Sequence, residues 1–372
     1  MTKIAAIIGG GVIGGGWAAR FALNGWKVQI FDPDPQAERK VGEVMANARR
    51  SMPGLTDVAL PDEGAISFHD SISDAVQGAS WIQESVPERL EIKHSTFGAI
   101  QQACDPDAVI GSSTSGFKPS ELQDGMARPD QIMVAHPFNP VYLLPLVELV
   151  PGNGNEGASV EKAKETLISI GMYPLHLKKE IDAHVADRFL EAVWREALWL
   201  VKDGIATTEE IDNAIRYGFG IRWAQMGLFE TYRVAGGEAG MKHFMAQFGP
   251  ALKWPWTKLM DVPEFNDELV DLIAGQSDDQ SGAHGIRDLE RIRDNNLVSM
   301  MRALKQQDWG AGSLMKQHEE RLRSGTVLAA RSADIDNPDQ PVLTVRRAVP
   351  LDWTDYNGHM TEAKYLQAFA DA

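Results

Sequence analysis

The sequence has almost no cysteine and no long apolar run. Cys104 is the single cysteine among 372 residues, which excludes a disulfide within the chain and any C-x-x-C metal or redox motif. This usage is typical of a reducing compartment, so we expect the protein to be cytoplasmic. No uninterrupted apolar stretch is long enough to cross a bilayer.

Positive charge is also scarce. The chain has 36 lysines and arginines against 52 aspartates and glutamates, a formal net charge of −16, and no run of basic residues. Nucleic acids and anionic membranes attract basic surfaces, so this balance argues against either as a partner. The same deficit disfavours a phosphate-rich substrate such as coenzyme A. We therefore expect a small molecule as the partner.

What is present is an alternation of short apolar segments with helix-like ones, followed by long helical periodicity from about Ile181. This order predicts an α/β fold, a Rossmann-type doubly wound and mostly parallel sheet followed by an all-helical domain. The segment from Thr207 to Glu210 predicts a capping box. The expected strands are Ile4 to Ile8, Lys27 to Phe31, Ala65 to Phe68, Trp81 to Gln83, Val109 to Ser112, Ile132 to His136, Leu146 to Val150 and Tyr173 to Leu177. The expected domains are residues 1–180 for nucleotide binding, 181–325 for the helical part, 326–340 for a linker and 341–372 for a further segment.

A glycine-rich turn follows the first apolar segment. It consists of Gly9, Gly10, Gly11, Val12, Ile13 and Gly14. Glycine permits a tight turn at the first position, close approach of backbone N–H groups to a pyrophosphate at the third, and close helix packing at the sixth. The helix that begins here would point its N-terminus at the phosphates. The alternative is a glycine-rich turn that binds no ligand.

Asp32 favours the nucleotide interpretation because it ends the second expected strand, about twenty residues after the glycines. An acid at this place binds the ribose hydroxyls of a dinucleotide, and its charge would repel a 2′-phosphate. The sequence therefore predicts NAD, rather than NADP, as the cofactor.

Side chains suited to acid–base chemistry lie on two later strands. His136 ends one expected strand, and Glu148 lies twelve residues on, within the next. A carboxylate at one imidazole nitrogen fixes the tautomer and makes the ring more basic, which suits His136 to take a proton from a hydroxyl. Ser115 follows an earlier strand, where it can donate to a substrate oxygen. The alternative is that His136 and Asn139 only cap a proline-bounded turn and that Glu148 is a structural acid.

Taken in order, these motifs resemble the 3-hydroxyacyl-CoA dehydrogenase superfamily over about residues 1–323. The resemblance implies that Glu88 and Lys93 contact the nicotinamide end of NAD, although by themselves they would be an exposed pair on a helix. It also implies that His136 is the base with Glu148 as its partner. Ser115 and Asn139 would then hydrogen-bond the reacting oxygen.

Three further residues bear on the substrate. Asp187 stands where the family has an asparagine, and a carboxylate beside the site suits a cationic substrate; the alternative is a surface ion pair with Arg188 or another cation. Trp223 and Phe229 lie in the segment where the family closes its substrate pocket, and aromatic faces attract quaternary ammonium ions. The alternative is that these aromatic residues belong to the helical core.

The C-terminal stretch from Val349 to Met360, with Tyr365, resembles the beginning of a hot-dog-fold thioesterase. Such a fold needs on the order of a hundred residues, so we expect residues 341–372 to be an incomplete segment without activity of its own. A dehydrogenase of this family joined to such a segment implies L-carnitine as the substrate, a 3-hydroxy acid with a quaternary ammonium head and a carboxylate. The expected activity is NAD-dependent oxidation of its 3-hydroxyl to 3-dehydrocarnitine, by a homodimer.

Two other interpretations stay open. A 3-hydroxyacyl-CoA or L-gulonate 3-dehydrogenase would use the same proton chemistry on a different hydroxyl compound. A non-catalytic NAD-binding protein, like the lens crystallins related to this superfamily, would keep the fold without the reaction. The complete set formed by Ser115, His136, Asn139 and Glu148 favours an enzyme.

Overall fold

A computed structural model describes residues 3–152, 155, 157–236, 238, 240–250, 257, 264 and 266–330, and near the C-terminus 349, 353, 360–362 and 364–366. The described chain forms two compact units. One is Val185–Arg293, and the other contains the residues before and after that segment.

The first unit is built on one sheet with eight strands among the described residues. They are β1 (Ile4–Ile8), β2 (Lys27–Phe31), β3 (Ile66–Phe68), β4 (Trp81–Glu84), β5 (Val109–Ser112), β6 (Ile132–Pro137), β7 (Leu146–Pro151) and β8 (Tyr173–His176). Their order is β3-β2-β1-β4-β5-β6-β7-β8, and every neighbouring pair is parallel except β6 and β7. The predicted doubly wound sheet is confirmed, with each strand within one residue of its expected bounds.

Helices cover both faces of this sheet and make up the second unit. They are α1 (Val12–Ala22), α2 (Ala37–Ser51), α3 (Ile72–Ala75), α4 (Leu90–Ala103), α5 (Pro119–Gln123), α6 (Gly157–Ser169), α7 (Ala186–Lys202), α8 (Thr208–Ala214), α9 (Gly220–Ala235), α10 (Gly240–Phe248), α11 (Asp267–Ser281), α12 (Ile286–Gln306) and α13 (Ala311–Ala330). Within the described chain, no helix combines the length and the apolar character needed to cross a bilayer.

Strand β1 shows why both faces must be covered. Ala5 and Ile7 pack into one apolar cluster, and Ala6 and Ile8 pack into another on the opposite face. Side chains alternate across a strand, so a run that is apolar at every position requires a buried strand.

The last two helices return to the first unit. Met301 of α12 and Met315 of α13 are buried in the same cluster as the sheet, and the contacts group residues from Asp294 onward with that unit. The sequence assigned them to the helical domain, because helical periodicity does not reveal which partner a helix packs against. Helix α13 ends at Ala330, so the predicted linker 326–340 begins within a helix; its remainder and most of 341–372 lie outside the described residues.

In the second unit, α8 begins at the predicted capping box. The Thr207 side chain accepts from the backbone of Glu210, whose carboxylate accepts from the backbone of Thr207. A π-helical segment (Ile215–Phe219) links α8 to α9, and Gly218 within it has non-helical backbone angles. Gly218 therefore marks a kink between two helices.

His318 of α13 gives the first unit a pH-dependent stability. Its side chain is buried, and neither ring nitrogen has a hydrogen-bond partner among the described residues. Burial, together with the charges of Arg20 and Arg321, lowers the pKa of His318 to about 3. The unfolded chain binds a proton here below about pH 6.5 and the folded chain does not. The free energy of unfolding should therefore fall by about 1.4 kcal/mol per pH unit between about pH 6.5 and about pH 3.

We expect His318→Leu to remove this contribution. Denaturant unfolding at about pH 7 and about pH 5 should show that the stability lost between the two conditions is about 2 kcal/mol smaller in the variant. Equal losses in both proteins would show that His318 does not control the acid sensitivity.

Candidate active site

The glycine-rich turn connects β1 to α1 at the carboxyl edge of the sheet. Gly9 has a left-handed φ of +102°, and a Cβ there would lie 2.5 Å from the carbonyl oxygen of Ser85. A Cβ on Gly14 would lie 1.7 Å from the carbonyl oxygen of Gly9. In contrast, a Cβ on Gly11 would meet no described atom within 4 Å. The outer two glycines are thus required for packing, and the middle one leaves open space at the helix N-terminus.

Open space at the start of α1 suits a phosphate group. Gly11 is the N-cap, and the first turn of α1, described throughout, contains no acidic residue. The unpaired N–H groups and the positive end of the helix dipole therefore face an anion without a competing carboxylate.

Asp32 lies against this turn. Its Oδ2 accepts from the backbone N–H of Gly10 at 2.6 Å, and its Oδ1 accepts from that of Asp34 at 2.7 Å. Each carboxylate oxygen keeps further lone-pair capacity, because an ionised carboxylate has about four acceptor sites. The residues thus fit a dinucleotide whose pyrophosphate meets the glycines and whose ribose meets Asp32.

His136 and Glu148 lie directly opposite each other in the antiparallel pair of β6 and β7. The distance from His136 Nδ1 to Glu148 Oε2 is 3.1 Å. Both side chains are buried, Glu148 completely. The carboxylate favours the tautomer that carries its hydrogen on Nδ1, which leaves the lone pair on Nε2.

The Nε2 side of the His136 ring faces the serine-rich turn after β5. Nε2 of His136 lies 3.3 Å from Oγ of Ser115, and Ser115 is exposed. Asn139 is also exposed, in the turn that follows β6. The structure thus brings Ser115, His136 and Glu148 into one row of contacts, with the serine at the accessible end.

Glu88 organises the backbone of the serine-rich turn. Its Oε1 accepts from the hydroxyl of Thr114 and, at 3.2 Å each, from the backbone N–H groups of Ser115 and Gly116. Partial burial acts to raise the pKa of Glu88, but the Thr114 hydrogen bond and the charge of Lys93 outweigh it and hold the pKa below its usual value. Glu88 is therefore an anion at neutral pH.

Lys93 is not the exposed helix residue that its position alone suggested. Its side chain is 1% exposed, and its ammonium group lies 2.9 Å from Glu84 Oε1 and 3.1 Å from Glu88 Oε2. Glu84 is fully buried at the end of β4 and was not among the predicted site residues. The sequence does place this glutamate at the carboxyl end of an apolar strand. A buried acid needs a partner, so its position could have indicated a nearby cation.

A second residue that the sequence did not single out is His184. It is fully buried, its ring centroid lies 5.6 Å from that of His136, and its Nε2 lies 3.3 Å from the carbonyl oxygen of Thr114. Its φ of 50° and that of Ala183, 58°, are left-handed. Two such residues in succession are uncommon for side chains with a Cβ. Neither residue is a glycine, so the sequence gives no sign of this conformation.

The three predicted substrate-binding residues belong to the second unit. Asp187 is partly buried in the first turn of α7, where a carboxylate also interacts favourably with the helix dipole. Trp223 and Phe229 are both on α9, with exposed fractions of 38% and 72%. Such exposure does not fit the alternative in which they belong to the core of that unit.

Known proteins similar to this chain agree with the fold and the glycine turn. Residues 4–181 match the NAD binding domain of 3-hydroxyacyl-CoA dehydrogenase, and residues 184–266 match the C-terminal domain of that family. Among solved structures, a 5-formyl-3-hydroxy-2-methylpyridine 4-carboxylic acid 5-dehydrogenase is 27% identical, with a TM-score of 0.69 over 82% of this chain and 99% of that one. A (S)-3-hydroxybutyryl-CoA dehydrogenase from Ralstonia eutropha, 21% identical with a TM-score of 0.52, shares the fold over 74% of this chain and 94% of its own.

Two sequence relatives match nearly the whole chain, and a third matches most of it. An "L-carnitine dehydrogenase/betainyl-CoA thioesterase" of Ruegeria pomeroyi is 72% identical over 99% of this chain and 75% of that protein. One of the same name from Agrobacterium fabrum is 61% identical over 100% of this chain and 74% of that protein. An "L-carnitine dehydrogenase" of Pseudomonas putida is 49% identical over 82% of this chain and 94% of its own. The expected cofactor, NAD, is confirmed by the matched domain, and the chain belongs to the 3-hydroxyacyl-CoA dehydrogenase family.

Proposed function

We propose that this protein oxidises the 3-hydroxyl group of L-carnitine to 3-dehydrocarnitine with NAD. The observation that carries the chemistry is the row of contacts from Glu148 through His136 to Ser115, which ends at an accessible hydroxyl. The choice of substrate is supported by the names of relatives up to 72% identical to this chain. Both point to a secondary alcohol as the reacting group.

His136 is the general base in this proposal. Its Nε2 accepts the hydroxyl proton of the substrate, and the resulting imidazolium is stabilised by Glu148 at Nδ1. Glu148 has no contact with solvent, so its charge acts through a protein medium of low dielectric constant, where it is strongest. The pair therefore favours proton transfer to His136 at the moment when the C3–H bond breaks.

Ser115 and Asn139 hold the substrate oxygen as it becomes a carbonyl. Both are exposed at the carboxyl edge of the sheet, so a ligand can reach them. Gly9 to Gly14, Asp32, Glu88 and Lys93 would hold the cofactor. When bound, NAD supplies the carbon that accepts the hydride from C3.

Asp187, Trp223 and Phe229 are the proposed recognition elements for the quaternary ammonium head. A trimethylammonium group cannot donate hydrogen bonds, so it is recognised by a carboxylate charge and by aromatic faces. The net charge of −16 also favours a cationic ligand over coenzyme A.

A homodimer is the proposed state in solution, and the cytoplasm the proposed location. Support for the dimer comes from the second unit, where Phe189, Leu190, Trp194 and Tyr217 are each more than half exposed. Side chains of α7 and α8 also line an apolar cavity of about 470 Å³ in that unit. Large exposed apolar faces are typical of protein interfaces. Sedimentation should give twice the 40.9 kDa chain mass; a monomer at micromolar concentration would exclude the dimer.

Residues 341–372 are proposed as a thioesterase-like segment. The Agrobacterium fabrum relative includes this stretch in its match and carries a thioesterase name. Shortening the chain after Ala330 should leave oxidation of L-carnitine unchanged. Loss of that activity in a folded shortened chain would assign these residues to the dehydrogenase.

The test is a substrate panel followed by the formation of reduced nicotinamide at 340 nm, with L-carnitine, D-carnitine, L-gulonate and 3-hydroxybutyryl-CoA, each with NAD and with NADP. We expect L-carnitine with NAD to give a kcat/KM at least about a hundredfold above those of L-gulonate and 3-hydroxybutyryl-CoA, which lack the cationic head, because a site that recognises a charged head rejects ligands that leave its polar groups unpaired. A higher kcat/KM for L-gulonate or for 3-hydroxybutyryl-CoA would identify that compound as the substrate. The proposed role of His136 as the base would then be unchanged. No turnover with any of them would favour the non-catalytic interpretation.

A further inference from the structure

The strand order locates the two halves of the cofactor. In a doubly wound sheet the ligand crosses the carboxyl edge where the strand order reverses, which here is between β1 and β4. Asp32 ends β2 and marks the adenosine side. The nicotinamide half therefore belongs on the side of β4, β5 and β6, where Glu84, Ser112 and His136 lie near the ends of their strands.

Glu84 is an ionised carboxylate in this place. Its Oε1 accepts from Lys93 Nζ at 2.9 Å and from the backbone N–H of Val86 at 2.8 Å, and its Oε2 accepts from the hydroxyl of Ser112 at 2.5 Å. All three partners donate, and hydrogen bonds from donors of this kind stabilise a carboxylate. The side chain is fully buried, so these three donors take the place of water around it.

Lys93 is shared between two carboxylates. Its ammonium group contacts Glu84 at 2.9 Å and Glu88 at 3.1 Å. Two negative charges and one positive charge leave the set with a net charge of −1. Because Glu84 and Lys93 are buried and the Glu88 side chain is 45% exposed, the uncompensated charge lies at the end of the set that a ligand can reach.

The oxidised nicotinamide ring carries one positive charge, and the reduced ring is neutral. We propose that Glu84, Lys93 and Glu88 form a charge set that selects the oxidised cofactor, with Glu84 as a positioning residue. Glu84 engages the ammonium group of Lys93 and so prevents it from fully neutralising Glu88. The inference rests on NAD as the cofactor of the proposed function and does not depend on L-carnitine as the substrate.

The test measures the dissociation constants of NAD⁺ and NADH by calorimetry in four proteins. The ratio of the NADH constant to the NAD⁺ constant isolates the ring charge, because the phosphates, riboses and adenine are the same in both ligands. Glu84→Gln changes the net charge of the set from −1 to 0 and should lower this ratio by about tenfold, the order expected for one unit charge within about a nanometre in a protein medium. Lys93→Met changes the net charge to −2 and should raise the ratio.

The double variant Glu84→Gln/Lys93→Met separates charge from structure. It restores a net charge of −1 while it lacks both native side chains, so its ratio should return to within about threefold of the wild type. If the two residues acted only as structural supports, the double variant would be at least as impaired as Glu84→Gln. A ratio that is unchanged in Glu84→Gln, or that is not restored in the double variant, overturns the proposal.

Glu91→Gln is the matched control, since Glu91 lies on the same helix as Lys93 with 65% of its side chain exposed. Its ratio should equal that of the wild type, because solvent screens an exposed charge. Should Glu84→Gln fail to fold, the rise in Lys93→Met and its reversal in the double variant still decide the matter. If these dissociation constants overturned the charge set, the result of the substrate panel would still stand. If the panel excluded L-carnitine, these dissociation constants would still test the charge set.

Discussion

Replacing His136 by alanine is expected to lower kcat for L-carnitine oxidation by about a hundred- to ten-thousandfold, the contribution usual for a positioned general base. The affinity for NAD should stay within about threefold of the wild type, because the proposed contacts of the cofactor with the glycine turn and Asp32 do not involve this ring. Steady-state kinetics and calorimetric titration with NAD⁺ measure the two quantities separately. A selective loss of kcat is the signature of a group that acts in the chemical step.

His69→Ala is the control for this prediction. His69 is a partly exposed histidine just after β3 whose ring nitrogen contacts Ser67 at 2.9 Å, away from the row that includes Ser115 and Glu148. Its removal should leave kcat unchanged. If His136→Ala retained near-full turnover while folded, the base would have to be another group and the role of Glu148 would lose its basis.

Replacing Asp32 by alanine should have the second large effect, on the choice between NAD and NADP. The carboxylate would repel a 2′-phosphate by several kcal/mol at contact distance in a protein medium, so its removal should lower the NAD-to-NADP ratio of kcat/KM by at least about a hundredfold. Part of the fall comes from NAD itself, which loses a hydrogen bond to ribose. Kinetics with both cofactors at saturating L-carnitine gives the ratio.

Asp34→Ala is the appropriate comparison for Asp32→Ala. Asp34 lies two residues on, has 38% of its side chain exposed, and pairs with Lys40 at 2.5 Å. The backbone N–H of Asp34 still donates to Asp32 in this variant. If both variants changed the ratio equally, general surface charge would control the preference; if neither changed it, another group would exclude NADP.

The sequence was sufficient for the sheet and for the pairing of His136 with Glu148. Strand bounds followed from short segments of three to five residues, because each segment is closed by glycine, proline or polar residues. The contact between His136 and Glu148 followed because adjacent strands place a few residues opposite one another, and the structure pairs these two directly.

Burial of charge could not be predicted in the same way. Lys93 has the helical spacing of a surface residue, and only the neighbouring strand that ends in Glu84 explains why an ammonium group is buried there. The return of α12 and α13 to the first unit depends on Met301 and Met315 fitting its core, which is a property of shape and not of periodicity. The left-handed backbone at His184 is likewise set by tertiary contacts, because neither Ala183 nor His184 favours it.

The most direct test of the account is a crystal structure of the protein with NADH and 3-dehydrocarnitine bound. It should show Nε2 of His136 within about 2.6–3.2 Å of the C3 oxygen, with Ser115 on the same oxygen and C3 facing C4 of the nicotinamide ring. The proposed oxidation would be contradicted if the His136 ring were turned away from the ligand. It would also be contradicted if C3 of the ligand did not face C4 of the nicotinamide ring.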